Sequence, residues 1–211
     1  MKDYPDEELM KLTANDDISA FEELFRRHKQ RVLDFFHRML WNAEEARDCT
    51  QETFLKLWRR RGQYAGKAKL STYLFQIAKN HFLDNRRKRA SRIDTQSISV
   101  DGSEEPFEAA SSMNGYERIM ARDIRSALSE AVARLPENHR LVYVLSEEQR
   151  MSYKEIAEIL DCPVGTVSSR KVEALNRLRK LLEPLRDELL GRGFQTDKDR
   201  ALSKTEQETD R

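Results

Sequence analysis

Hydroxyls and cations crowd one short stretch of the chain. Thr166, Ser168, Ser169, Arg170 and Lys171 follow directly on Asp161-Cys162-Pro163-Val164-Gly165, which reads as a turn. Short hydroxyls let a backbone approach phosphate, and Arg or Lys reach phosphates or guanine edges. Upstream of the turn, Ser152 and Glu155 have capping-box spacing and predict a short helix to Leu160. Ala157 is the small residue where two helices would cross, and Ile156, Leu160 and Val167 supply the packing behind it. Two helices joined by a three- or four-residue turn, the second carrying short polar residues at its start, form a unit that reads DNA in the major groove. A helical hairpin packed in an ordinary bundle is the competing reading. It has no need for a capping box, small residue, Pro/Gly turn and polar second helix to coincide.

A second cluster lies in the first half of the chain. Lys67, Lys69, Lys79, Arg86, Arg87, Lys88, Arg89 and Arg92 share a stretch whose single acid is Asp84, and Tyr64, Tyr73, Phe75, His81 and Phe82 are interleaved with them. Positive charge attracts a phosphate backbone and aromatic faces stack on unpaired bases, a combination suited to single-stranded or melted DNA. Some of these aromatics must be core, since Tyr73 adjoins an apolar stripe, and a basic run at a helix end also complements the helix dipole. Just before this stretch, Asp48, Gln51, Glu52 and Leu55 recur at three- and four-residue steps. They define a helix face distinct from that of Phe54, Leu57 and Trp58. Such a face fits either plain solvated helix or a basic partner helix, and spacing does not choose.

The elements that must position these groups are helical. Phe21, Phe25, His28, Val32, Phe35 and Met39 fall on one face of a long helix, and Asn42 with Glu45 has capping-box spacing for another running to about Arg61. Gly62 to Lys69 is a loop, and Leu70, Leu74, Ile77 and Ala78 set the inner face of the helix that ends in the arginines. Ile124, Leu128, Ala131 and Leu135 restart the period after an aperiodic stretch, and Pro136 separates that helix from one carrying Leu141, Val142, Val144 and Leu145. Thr166 opens a last helix to about Leu190. No strand-like alternation and no repeat is present, so the expected fold is all-α.

Charge divides the chain. Residues 1–95 carry 20 Lys/Arg against 15 Asp/Glu, residues 96–115 have four acids and no base, and residues 116–190 have 13 of each. This predicts two small helical domains: 1–92, an acidic flexible linker 93–115, then 116–190, followed by a polar tail 191–211 expected to be disordered. The start lacks a signal-like apolar stretch and no run reaches a membrane span, so a cytoplasmic protein without membrane insertion is expected. Cys49 and Cys162 have no metal-ligand spacing and read as free thiols. His28, His37, His81 and His139 are scattered, and no paired carboxylates, phosphate loop or nucleophile-base arrangement appears. No catalytic residue, metal or cofactor is expected.

Asp48-Cys-Thr-Gln51-Glu52-Thr-Phe54-Leu55-Lys-Leu57-Trp58 closely resembles the signature of the second conserved region of extracytoplasmic-function sigma factors of bacterial RNA polymerase, in the sigma-70 family. Ser71-Thr-Tyr73-Leu74-Phe-Gln-Ile77-Ala78-Lys-Asn80, then Leu83-Asp84 and the arginines, resembles the rest of that region. Leu135-Pro136 with Arg140, Ser152 to Leu160, and Pro163-Val-Gly-Thr-Val-Ser-Ser-Arg170 resemble the fourth. The match covers about residues 18–90 and 116–183, both regions in order. It implies that Asp48, Gln51, Glu52 and Leu55 dock on the clamp coiled coil of the polymerase's largest subunit. Tyr64, Lys67, Lys69, Asn80, Arg86, Arg87, Lys88 and Arg89 would capture and melt the minus-ten element, and Thr166, Ser168, Ser169, Arg170 and Lys171 would read the minus-thirty-five element. The partners it implies are core RNA polymerase, promoter DNA and an anti-sigma factor, in service of a stress- or signal-responsive regulon. The chain departs from the pattern in places. Many relatives carry a basic residue at the position of Ser168, a large apolar residue at Lys171, Arg at Glu173 and Gly at Asp161.

Two other classes remain to be weighed. A two-domain regulator, sensing a ligand with its first module, would have no need of the basic-aromatic helix or the Asp48–Trp58 pattern. A helical scaffold binding only protein is weakened by the helix-turn-helix.

Overall fold

The computed structural model describes residues 3–90 and 115–206, and of residues 89–90, 115–120 and 186–206 it describes the main chain alone. Eight α-helices make up the described residues, without a strand: α1 (Asp6–Ala14), α2 (Ile18–Leu40), α3 (Ala43–Arg59), α4 (Leu70–Ala90), α5 (Gly115–Ala133), α6 (Glu137–Tyr143), α7 (Tyr153–Leu160) and α8 (Val164–Glu206). A 3₁₀ turn at Arg61–Gln63 follows α3, and a π turn at Val144–Glu148 continues α6. The all-α expectation holds. The expected linker 93–115 lies outside the described residues except for Gly115.

Local chemistry starts most of these helices. The carboxylate of Asp17 accepts from Ala20 N (3.1 Å) at the start of α2, and Asn42 Oδ1 accepts from Glu45 N (2.9 Å) at the start of α3. Helix α4 takes its cap from elsewhere: Glu7 Oε1, on α1, accepts from Leu70 N at 3.4 Å. Helix α1 was not legible as a periodic element, being short. It opens after Pro5 on Asp6, Glu7 and Glu8, acids that complement the helix dipole, and buries Leu9 and Met10.

Helices α1 to α4 pack as neighbours, α2 against α1 and α3, and α3 against α4. The expected stripe of α2 is the inner face in part: His28, Val32, Phe35 and Met39 are buried, whereas Phe25 is 38% exposed. Phe35 meets Phe36 at 5.3 Å and Phe75 of α4 at 5.6 Å, both edge-on. Leu24, Leu57, Leu70 and Leu74 complete this core, each side chain worth roughly 1.5–3 kcal/mol when fully buried.

By compactness the chain divides into two units, residues 1–108 with 136–174, and residues 109–135 with 175–211. The helix-turn-helix therefore shares a unit with α1–α4, and α7 packs along α4. The division expected from charge groups residues by sequence, whereas these units group them by what touches. In the second unit Ala131, Val132, Leu135 and Leu178 are buried.

The last helix corrects one boundary. It runs to Glu206, past the end expected near Leu190, so residues 191–206 of the expected disordered tail are helical. Arg192, Gln195, Lys198, Arg200, Ala201, Leu202, Lys204 and Glu206 are good helix formers, while Gly191 and Gly193 each cost about 1 kcal/mol. Pro184 sits inside α8, where its ring removes one backbone donor.

Candidate protein and nucleic-acid interfaces

The turn between α7 and α8 is built by a local bond pattern. Ser152 Oγ accepts from Glu155 N (3.3 Å) while Glu155 Oε2 accepts from Ser152 N (2.8 Å) and Oγ (2.7 Å), which completes the capping box. The helix ends at Asp161 with φ 51°, where Cys162 N donates to Ala157 O at 3.1 Å. This left-handed conformation favours Gly, and Asp is among the few other residues that adopt it readily. Pro163 O then accepts from Thr166 N and Val167 N, which starts α8 two residues before the expected Thr166. Ile156 and Val167 are fully buried and Ala157 is 9% exposed, as a helix crossing at a small residue requires.

The polar residues of the second helix divide into two groups. Ser169 is exposed, and Thr166, Ser168 and Arg170 are half-buried at the start of α8. Lys171 is turned inward instead. Its side chain is 17% exposed, its ammonium is paired with Glu147 of the π turn, and it lies 5.4 Å from the centre of the Tyr153 ring. The bond to Glu147 holds the ammonium charged and its pKa raised. Lys171 thus sets its ammonium over the face of the Tyr153 ring, a cation–π contact beside the ion pair. Glu173 is also engaged, 2.8 Å from His139 Nε2 on α6.

Helix α3 separates its two faces cleanly. Thr50, Thr53, Phe54 and Leu57 are buried, whereas Asp48, Gln51 and Leu55 are exposed, Leu55 at 40%, and Glu52 is half-buried and paired with Arg59 at 3.3 Å. Beside this face, Phe21, Phe25 and Leu33 of α2 with Gln51, Phe54 and Leu55 of α3 line an open apolar groove. Composition could not foretell the groove, since its lining comes from two helices.

The basic segment is arranged around α4. Tyr64 donates to Ala68 O at 2.6 Å and lies 5.5 Å from the Tyr73 ring, which closes the loop on itself. Burial raises the pKa of the Tyr64 phenol, and the carboxylates of Glu7 and Asp6 add to the effect. Lys67, Lys69, Asn80, Arg86, Arg87 and Lys88 are all exposed, while the side chain of Arg89 lies outside the described residues. Of the interleaved aromatics, Phe75, His81 and Phe82 are buried, which leaves Tyr64 and Tyr73 as the half-exposed rings. Lys69 and Arg86 do not stand free: Lys69 Nζ lies 2.9 Å from Glu155 Oε1, and Arg86 pairs with Glu137.

Comparison with known proteins agrees with this arrangement. Residues 24–92 match the family model for sigma-70 region 2, and residues 125–178 match that for sigma-70 region 4. The chain is 32% identical over 183 residues to the RNA polymerase sigma-H factor of Pseudomonas aeruginosa, covering 85% of this chain and 95% of that protein. It is 28% identical over 183 residues to the ECF RNA polymerase sigma-E factor of Escherichia coli K12, with the same coverage of 85% and 95%. Among solved structures, the fold resembles CnrH in complex with the cytosolic domain of CnrY, with TM-score 0.62, 22% identity and coverage of 85% of this chain and 97% of that one. It also resembles the sigma factor RpoE in complex with the anti-sigma factor NepR from Bartonella quintana, with TM-score 0.64, 24% identity and coverage of 79% and 98%. From the helix-turn-helix, the α3 face and the basic α4, in the order and over the lengths that these relatives share, the chain belongs to the sigma-70 family as a sigma factor of the extracytoplasmic-function type, a non-catalytic factor for transcription initiation.

Proposed function

We propose that this chain docks on core RNA polymerase through Asp48, Gln51, Glu52 and Leu55, and directs promoter opening for a stress- or signal-responsive regulon. The observation that carries the reading is Leu55, a large apolar side chain 40% exposed among acidic and amide groups beside an apolar groove. Burying it in a partner recovers apolar free energy that the free chain forgoes. The flanking carboxylates of Asp48 and Glu52 favour a basic helix of the clamp.

Helix α4 and the loop before it would then hold the minus-ten strand. Lys67, Lys69, Arg86, Arg87, Lys88 and Arg89 supply phosphate contacts, and Tyr64, Tyr73 and Asn80 supply rings and an amide for unpaired bases. Extruding a base costs a few kcal/mol, which such contacts offset. Thr166, Ser168, Ser169 and Arg170 would meet the minus-thirty-five element, with Lys171 holding α8 in place through Glu147 and Tyr153. The solved relatives CnrH and RpoE, each in complex with a second protein, support regulation of this chain by an anti-sigma factor. A cytoplasmic location follows from these partners. No described helix is long and apolar enough to cross a membrane.

Reconstitution with core RNA polymerase tests the reading. The chain is expected to form a stable complex that initiates at discrete genomic sites, and Leu55→Asp is expected to abolish the complex while the helical circular dichroism stays unchanged. Normal polymerase affinity in that variant would remove α3 as the docking helix. Tight operator binding by the chain alone, with no polymerase complex, would favour a two-domain regulator.

A further inference from the structure

Helix α8 turns one face outward over its first three turns. Val167 and Ala174 are fully buried on the inner side, and Ser169, Val172 and Glu173, at three- and four-residue steps, lie opposite them. Ser169 is exposed, Val172 is 56% exposed, and the side chain of Glu173 is 58% exposed. The last two are unexpected on a surface that meets DNA. A valine gains nothing from phosphate, and a carboxylate is repelled by it. The carboxylate of Glu173 is also held in place. His139 Nε2 on α6 donates to Oε2 at 2.8 Å, and the side chain of His139 is only 16% exposed. One oxygen of Glu173 is thus tied to the body of the helix-turn-helix, which leaves Oε1 to accept from outside. Glu173 and His139 belong to one compact unit.

We infer that Val172 and Glu173 read base edges, and that the upstream element this chain selects sets a thymine beside a cytosine where they meet it. The inference deepens the reading of α8 as the minus-thirty-five helix, proposed above, and rests on it. Major-groove edges differ in their donors, acceptors and methyl groups. A carboxylate accepts from the N4 amine of cytosine. It meets only acceptors on guanine (O6 and N7) and an acceptor with a methyl on thymine, and on adenine an acceptor, N7, stands beside the amine. A carboxylate left unpaired in the groove is penalised, so Glu173 selects as much by rejecting guanine and thymine as by bonding cytosine. Val172 covers the thymine methyl, apolar surface that no other base supplies. The two residues are consecutive, so the bases they meet lie in the same or adjoining pairs.

The test takes a promoter found by reconstitution, randomises its minus-thirty-five element, and sequences the duplexes retained by the full chain with core RNA polymerase. The wild type is expected to favour cytosine over guanine about five- to tenfold at one position. Glu173→Ala should flatten that position and no other, and Glu173→Gln should move its preference to adenine, whose N6 and N7 suit an amide. Deoxyuridine in place of the neighbouring thymine removes only the methyl. It should weaken binding by the wild type about two- to fivefold and leave Val172→Ala unaffected. Both side chains are exposed, so the variants should keep the circular dichroism of the wild type. An unchanged base preference in Glu173→Ala overturns the role of Glu173. So does tighter binding spread evenly over all sequences, since the carboxylate would then act only through its field on phosphate. Equal sensitivity to deoxyuridine in Val172→Ala overturns the role of Val172. Ser169→Ala/Arg170→Ala separates this failure from that of the broader reading. If it too leaves upstream selection as it was, α8 is not the reading helix. Altered selection there, with Glu173→Ala unchanged, sinks the Glu173 assignment alone.

Discussion

His81 shows how a single buried group ties stability to pH. On α4 it is only 9% exposed, and Nδ1 lies 2.8 Å from the ammonium of Lys56 on α3. Burial lowers its pKa below the usual 6.5, and the Lys56 charge lowers it further, so the ring is held neutral with Nδ1 accepting from Lys56. The folded state consequently binds fewer protons here than the unfolded chain. Stability from this site is present above pH 6.5 and is lost as pH falls through the lower folded value. Urea denaturation at about pH 7.5 and 5.5 should show a loss that is smaller in His81→Gln. An equal loss in both would place the titrating group elsewhere. Sequence placed this histidine among aromatics interleaved with the basic run and could not foretell its burial, because its environment is set by Lys56 and Asn85, 25 and four residues away. Arg31 was illegible for a similar reason. Nothing in an α2 arginine announces a bond to a carbonyl 118 residues later. The exposed Leu55 face, by contrast, was readable from helical spacing alone.

At the level of elements, what was legible is what is local. The Asn42 and Ser152 caps involve partners three residues on, so their spacing is in the sequence and both bonds form. The π turn after α6 was not readable. It is defined by Gln149 N reaching back to Val144 O (3.0 Å), and it lets five successive residues, Leu141 to Leu145, be buried. The cap of α4 by Glu7 was hidden because the partner lies 63 residues away. Helix α7 has eight residues and thus little propagation to offset its nucleation, so its cap should matter more than in α2. Ser152→Ala is expected to lower stability by about 1 kcal/mol in urea denaturation, with Ser152→Thr close to the wild type. Glu155 reinforces the same start. Its hydrogen bond to Lys69, then that to Ser152, hold its carboxyl at about 2. Loss of stability in Ser152→Ala as great as that of a core truncation would mean that the hydroxyl anchors more than the helix end.

The whole molecule behaves as more than two modules on a string. Charge counts separated a basic first half from a neutral second half, and family models match each half separately. What counts could not convey is that carboxylates of the second half lie on cations of the first. This juxtaposition gives salt two opposing effects on DNA binding. Single-strand binding releases counterions, so log affinity falls with log salt by about 0.7 for each phosphate neutralised. Salt also screens the exposed Lys69–Glu155 and Arg86–Glu137 pairs, which releases their cations for phosphate and offsets part of that fall. The wild type should therefore show a shallower slope than Glu137→Gln/Glu155→Gln when both are titrated with the same oligonucleotide between about 50 and 300 mM salt. The two affinities should converge at the upper end, where the pairs are screened. Parallel lines would mean that the carboxylates lower affinity only through the field they add, since a constant field difference at fixed conformation leaves the number of released ions unchanged. Convergence, in contrast, requires a step whose own salt dependence is subtracted from that of binding, and breaking the two carboxylate–cation pairs is such a step in the wild type.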